Sequence, residues 1–318
     1  MSLTRLHGID PGRIGVFAGP LNGLPAATQR EFVREMERLG YGTLWYGEAL
    51  AQEAFARGAI YLAATERLVI ASGIANIWAR DAAAMANGGR TLGEAWPGRF
   101  ILGIGVGHAP NVRIRGHDYQ RPYSAMRAYL DAMDAAPWRG PDAALPPVVL
   151  AALGPRMVGL AGERAAGAYP YFTTTAHIRE VRDILGPEPF LAADLPAVLA
   201  ADQPRARAIG DRHLAYYLGS ANYRNNLLRI GWSERDLETP GSDALFEALV
   251  AWGDLDRIGD RARERFEAGA DQVVLNLIAA DASAAPLDEL RSLAPLAQSG
   301  PWRDPSTRPS AGRGAPLE

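Results

Sequence analysis

The chain has 318 residues, enough to bury about three quarters of its unfolded surface in one large or two ordinary domains. Its hydrophobic content of 48% and charged content of 22% are those of a globular protein, and a formal charge of −3 gives no electrostatic case for a nucleic acid or an anionic membrane as partner. All of its basic residues are arginines and it has no cysteine, which excludes Schiff-base lysines, thiolate nucleophiles, disulfides and iron–sulfur clusters.

The opening residues, Met1-Ser2-Leu3-Thr4-Arg5, lack the apolar core of a signal peptide, and no apolar run approaches a membrane span; a cytoplasmic protein is expected. From Arg13 onward short apolar strands alternate with helical patterns. Ile14-Gly15-Val16-Phe17 reads as the first strand and runs into a turn at Gly19-Pro20-Leu21-Asn22-Gly23. Thr28-x-x-Glu31 has the form of a capping box, after which Phe32, Val33, Met36 and Leu39 share one helical face. Gly40 ends that helix, and Leu44-Trp45-Tyr46 forms a strand that ends at Gly47-Glu48. A third strand, Leu68 to Ala71, ends at Ser72-Gly73-Ile74-Ala75-Asn76-Ile77-Trp78.

Residues 99–110 are the most informative stretch. Three apolar residues, Phe100, Ile101 and Leu102, lead into Gly103, Gly105 and Gly107, which deliver His108. Glycine weakens a strand, so this alternation indicates that something packs close to the main chain. It is not a dinucleotide fingerprint: the third glycine of G-x-G-x-x-G would fall on His108, and Pro110 is expected to block an immediate helix start. The fifth strand, Val148-Val149-Leu150, ends at Ala151-Ala152-Leu153-Gly154-Pro155-Arg156. Pro155 suits a first helical turn, Gly154 admits a ligand to the backbone and Arg156 adds a cation, so the segment reads either as a phosphate cradle or as an ordinary strand-to-helix turn.

Further strands begin near Ala168, Pro189 and Asp271, with a helical insertion expected near 200–252 and a disordered tail at 299–318. Eight strands alternating with helices fit a (β/α)8 TIM barrel, and no glycine-rich phosphate loop follows the first strand as a doubly wound sheet would require. Residues 1–298 then form one domain whose active site lies at the C-terminal ends of the strands. There Glu48 is either a proton-handling carboxylate or a helix-start residue, and His108 either a general acid–base or a loop residue. Asn76 is either a ligand contact or a backbone-satisfying bulge residue, and Trp45, Tyr46 and Trp78 form either an aromatic wall or core. The other histidines show no metal-ligand spacing, and no Ser-His-Asp set or glycosidase carboxylate pair stands out, so no metal is expected and a flat redox cofactor suits the cavity better than a hydrolytic centre.

Leu44–Glu48, Ser72–Ile77, Arg99–Gly107 and Ala151–Met157, with Pro122, Tyr123, Met126, Tyr129 and Leu130, together resemble the bacterial luciferase-like family over about residues 13–280. The likeness is strongest to its actinobacterial branch of deazaflavin (coenzyme F420)-dependent oxidoreductases. The resemblance implies a barrel with an insertion, often a homodimer, that binds F420 or flavin mononucleotide (FMN) at its mouth and transfers a hydride to or from a small organic substrate. It implies a cis peptide at Ser72–Gly73 or Gly73–Ile74 behind the cofactor ring. It also implies cofactor contacts at Gly73, Ile74, Asn76, Gly105, Gly107 and Ala152, and a phosphate held by Gly154, Pro155 and Arg156. One departure bears on mechanism: where many members carry a histidine after the acidic residue, Glu48 is followed by Ala49. Either Glu48 or His108 then serves as the catalytic proton handler. Alternative readings are an FMN-dependent monooxygenase and a non-catalytic cofactor carrier.

Overall fold

Strand and helix alternate along the chain because each short apolar run is followed by a capped, amphipathic segment. The protein is described by a computed structural model covering residues 5–299. The first half comprises β1 (Ile14–Phe17), a 3₁₀ turn (Gly19–Gly23), α1 (Ala26–Arg38), β2 (Thr43–Tyr46), α2 (Ala54–Ala64), β3 (Val69–Ser72), β4 (Ala75–Asn76), α3 (Ala82–Ala95), β5 (Phe100–Gly105), α4 (Ala109–Ile114) and α5 (Pro122–Asp134). The second half comprises β6 (Val148–Leu150), α6 (Pro155–Arg164), β7 (Gly167–Ala168), α7 (Thr175–Leu185), β8 (Phe190–Leu199), α8 (Gln203–Leu218), α9 (Ala221–Arg229), α10 (Asp243–Leu249), β9 (Ala251–Gly253), α11 (Leu255–Glu267), β10 (Gln272–Leu277) and α12 (Leu287–Ser299).

Eight parallel strands close on themselves in the order β1-β2-β3-β5-β6-β7-β8-β10, with β10 returning to β1 through Ile14↔Val273 to Phe17↔Asn276. This is the expected (β/α)8 barrel. Phe32, Val33 and Met36 of α1 are fully buried against it, each worth about 1.5–3 kcal/mol of apolar burial. The barrel interior is packed: Trp45, Val69, Ile101, Val149, Tyr169, Ala192 and Val274 form one buried cluster. Below it the Trp45 Nε1 donates to Gln272 Oε1 at 2.8 Å, and Gln272 Nε2 donates to the Pro11 carbonyl at 2.6 Å. The floor is therefore closed and the opposite end carries the loops.

Three local expectations are corrected, and a fourth is not described. α1 starts at Ala26 behind Pro25, with no side-chain cap, so Thr28 and Glu31 lie inside the helix instead of forming a capping box. Pro110 does not block a helix, because α4 begins at Ala109 and places the proline in its first turn, where a missing N–H costs nothing. The insertion is helical through α8, α9 and α10 but closes with β9, which pairs with Ala197–Leu199. Apart from Ser299, which ends α12, the tail expected at 299–318 lies outside the described residues.

The glycines at 103, 105 and 107 are met by the interrupted third strand, through a backbone carbonyl at Gly103 and through side chains at Gly105 and Gly107. β3 and β4 are one strand interrupted by Gly73–Ile74: Ala71 pairs with Ile101 and Ala75 with Ile104, so the interrupted strand carries one more residue than its neighbour over the same span. A methyl on Gly103 would overlap the Ser72 carbonyl, and one on Gly105 would lie 2.8 Å from Ile74 Cγ1. Gly107 has φ +62° and a Cβ there would lie 2.5 Å from Asn76 Nδ2. Gly103→Ala is expected to cost about 3 kcal/mol in urea unfolding, from overpacking against an immobile carbonyl. Gly154→Ala, whose methyl would meet nothing within 4 Å, should leave the midpoint unchanged.

Candidate active site

At the open end of the barrel the strand ends surround a cavity of about 710 Å³. Of the residues predicted for the site, Glu48, Gly73, Ile74, Asn76, Gly107, His108, Ala152, Gly154, Pro155 and Arg156 line it. Gly105 does not: it is buried beneath Ile74 and serves the packing of the bulge. The Gly73–Ile74 peptide is cis, at the second of the two expected bonds. The bulge is held on both sides, since Gly73 N donates to Tyr46 O at 2.6 Å, Glu48 N to Ile74 O at 3.0 Å and Ile77 N to Gly105 O at 3.1 Å. Ile74 is thereby presented as an apolar platform facing the cavity.

Glu48 stands at the mouth with every carboxylate lone pair engaged. Oε2 accepts from Arg80 Nη1 at 2.9 Å and from Asn76 N at 2.9 Å; Oε1 accepts from Arg80 Nη2 and from Ala54 N at 3.2 Å. Its side chain is 3% exposed. A carboxylate forked on a guanidinium and on two amides ties β2, β4 and α2 together and has no site left from which to take a proton. Asn76 likewise spends its Oδ1 on the Trp78 amide at 2.9 Å, leaving Nδ2 beside Gly107. These four hydrogen bonds make Glu48 a clamp at the mouth, whose contact with Ala54 N also places it at the start of α2.

His108 is the remaining predicted proton handler. As the residue before α4 it projects toward the insertion, where its Nδ1 lies 3.0 Å from Asn222 Oδ1 and its ring 5.3 Å from that of Tyr223. With the amide oxygen as acceptor, Nδ1 carries the proton and Nε2 keeps a lone pair. Burial lowers its pKa below 6.5, an effect the Asn222 hydrogen bond partly offsets.

The far end of the cavity is an anion cradle in form. α6 starts at Pro155 with Gly154 before it and no side-chain cap, so its N-terminal dipole is unopposed. The amides of Gly154 and Arg156 have no backbone acceptor among the described residues. Arg156 is exposed, stacks 4.3 Å over Tyr123 and has no carboxylate partner among the described residues. A phosphate-sized group would fill the space a Gly154 Cβ would enter, and the donors there match such a group.

The aromatic wall is built from other residues than those expected. Trp45 is buried in the barrel, Tyr46 is buried with its hydroxyl on Ala54 O, and Trp78 is not part of the lining. Tyr169, Tyr171, Tyr217 and Tyr223 take that place, joined through ring contacts of 5.1–6.2 Å. Tyr171 Oη accepts from Asn276 Nδ2 at 2.6 Å and shares a 2.9 Å hydrogen bond with Tyr217 Oη. Below them lies Asp194, fully buried and pushed up to about 7 by burial, with Phe172 N on its Oδ2 at 3.2 Å. Tyr169 and Tyr171 follow a strand at alternate positions, a signal available in the sequence; Tyr217 and Tyr223 come from the insertion, whose orientation no local pattern specifies. Among the described residues no group of histidine, aspartate and glutamate could hold a metal, and no helix is long and apolar enough to cross a membrane.

Comparison with known proteins places this site in context. The model of the luciferase-like monooxygenase family matches residues 8–272. The "Putative coenzyme F420-dependent oxidoreductase Rv3520c" of Mycobacterium tuberculosis is 26% identical over 192 residues, covering 50% of this chain. The match spans 55% of that relative, so the likeness extends over about half of its length. Solved structures share the fold at low identity. An F420-dependent secondary alcohol dehydrogenase in complex with an F420–acetone adduct has a TM-score of 0.70 at 16% identity, covering 90% of this chain and 98% of its own. The F420-dependent tetrahydromethanopterin reductase of Methanopyrus kandleri scores 0.69 at 16% identity, with 91% and 98% covered. A type II Baeyer–Villiger monooxygenase from Pseudomonas putida, in complex with FMN, scores 0.65 at 15% identity, with 91% and 98% covered.

Because Glu48 is a clamp, Glu48→Gln is expected to lower stability by about 3 kcal/mol in chemical denaturation, the cost of leaving a buried guanidinium half-paired. Glu53→Gln, which removes the half-exposed second partner of Arg80, should cost under about 1 kcal/mol.

Proposed function

Since the chain belongs to the luciferase-like monooxygenase family, we propose that it is an F420-dependent oxidoreductase acting on a small organic substrate held in the tyrosine-lined cavity. The observation that carries this reading is the pairing, in one cavity, of an apolar platform at Ile74 with an uncapped helix start and a carboxylate-free arginine at Gly154–Arg156. A planar heterocycle with an anionic tail is the ligand chemistry that needs both. The M. tuberculosis relative, named for coenzyme F420, supports the deazaflavin over FMN.

When bound, the deazaflavin supplies a carbon that accepts or gives up a hydride. Ile74 and Val106 would support one face of the ring, and Gly154, Pro155 and Arg156 would hold the phosphate. Ala152, Asn76 and Gly107 would complete the wall between those ends. Tyr171, Tyr217 and Tyr223 would enclose the substrate and exclude water, which keeps the hydride path dry. His108 Nε2 would take the proton from the substrate, its tautomer set by Asn222. Glu48 would act by positioning, through Asn76 and the bulge.

Titration of the protein with F420 and with FMN tests the cofactor. F420 should bind more tightly, and tighter binding of FMN would overturn the choice in favour of a flavin-dependent monooxygenase. Gly154→Ala should weaken binding of the phosphorylated cofactor at least tenfold without changing stability. In the direction that removes a proton from substrate, neutral His108 is the competent form. Its depressed pKa means that the acidic limb of the rate should have its midpoint below pH 6.5. His108→Gln should abolish that acidic limb and lower the rate by about 10²–10⁴-fold; a limb that persists in the variant would assign the proton to another group.

A further inference from the structure

Arg57 is 2% exposed, yet among the described residues no carboxylate lies within ion-pair distance of it. Its Nε and Nη2 donate to Tyr61 Oη at 3.0 and 2.6 Å, and its Nη1 donates to Asn22 Oδ1 at 2.5 Å and to Gly47 O at 3.1 Å. The rings of Tyr46 and Tyr61 flank the guanidinium at 5.3 and 5.4 Å. Of the nearby acids, Glu48 is neutralised by its fork on Arg80, and Glu53 is 49% exposed and so screened by water. A buried positive charge with no carboxylate in contact among the described residues therefore sits immediately behind Asn22 and Gly47, both of which line the cavity.

A guanidinium has no acceptor, so the Asn22 atom facing it must be the amide oxygen. The amide NH₂ then faces the other way, and it has no protein acceptor among the described residues. A Cβ built on Gly47 would lie 3.4 Å from the Gly73 carbonyl, so Gly47, whose own carbonyl accepts from Arg57, borders the bulge. Nothing in the clamp at Glu48 or in the anion cradle accounts for a buried cation at this position.

We propose that Asn22, oriented and polarised by Arg57, donates to a carbonyl oxygen on the edge of the bound heterocycle and favours its reduced state. The inference rests on the cofactor reading above. Hydride addition brings two electrons and one proton to the ring, and the negative charge is delocalised into the ring's carbonyl edge. A preorganised donor backed by a buried guanidinium is worth more to that electron-rich form than to the oxidised one. Asn22 is the contacting residue, and Arg57 is a positioning residue that acts through it.

The experiment is a titration of the full chain with oxidised and with reduced F420, the affinities compared within each variant, and repeated with FMN. Asn22→Ala should bind the oxidised form within twofold of wild type and the reduced form about tenfold more weakly, a fall of about 30 mV in the bound two-electron potential. Arg57→Met should move the same ratio in the same direction; being a ratio measured on folded protein, it is insensitive to any loss of stability. An unchanged ratio in Asn22→Ala, with wild type binding both forms, overturns this assignment and leaves the cofactor reading standing. Failure of wild type to bind either cofactor overturns both.

Discussion

The mouth of this barrel depends on one steric constraint: the interrupted third strand lies so close to β5 and the two residues after it that three alternating positions there can carry no side chain. The Ser72 carbonyl occupies the space beside Gly103, Ile74 the space beside Gly105 and Asn76 the space beside Gly107. With these contacts made, the extra residue at Gly73–Ile74 has only one direction to go, toward the barrel mouth. The apolar platform is thus positioned by close packing of the interrupted strand onto glycines. Glu48 secures it from the opposite side, since the carboxylate that pairs with Arg80 also accepts from the Asn76 amide.

The charges around the cavity divide by whether they are spent. Glu48 and Arg80 are spent on each other, and they stabilise the frame. Arg156 has no carboxylate partner among the described residues and stands exposed at the start of α6. Arg57 lies between these cases, buried behind the wall and hydrogen-bonded to neutral groups. On the function proposed above, these two cations would suit a ligand that is anionic at its tail and electron-rich along its ring. The tyrosine-rich remainder of the wall is neutral, and burial raises the pKa of Tyr171, Tyr217 and Tyr223, so that surface stays uncharged at physiological pH.

The glycine alternation of β5 and the Gly154-Pro155-Arg156 turn were legible because their meaning is local: each is a backbone requirement stated within a few residues. The same locality explains the errors. Pro110 and the Thr28–Glu31 pair follow correct rules for helix starts, but α1 begins three residues before where the pair pointed and α4 begins at Ala109, one residue before the proline. Trp45 and Tyr46 were candidates for the aromatic wall, and whether a strand residue faces the barrel floor or its mouth depends on position along the strand.

The alternation of strands and helices, the closed barrel and the placement of its mouth at the strand ends were determined by the sequence itself, because apolar periodicity and glycine positions encode them directly. The partners of its charges were decided only in three dimensions. Glu48 meets Arg80 across 32 positions, Arg57 meets Asn22 across 35, and His108 meets Asn222 across 114. An acid or a base reads the same in a sequence whether it is committed to a structural pair or left free for a ligand. The difference lies in which opposite charge folding brings within about 3 Å, and that distance belongs to the tertiary structure alone.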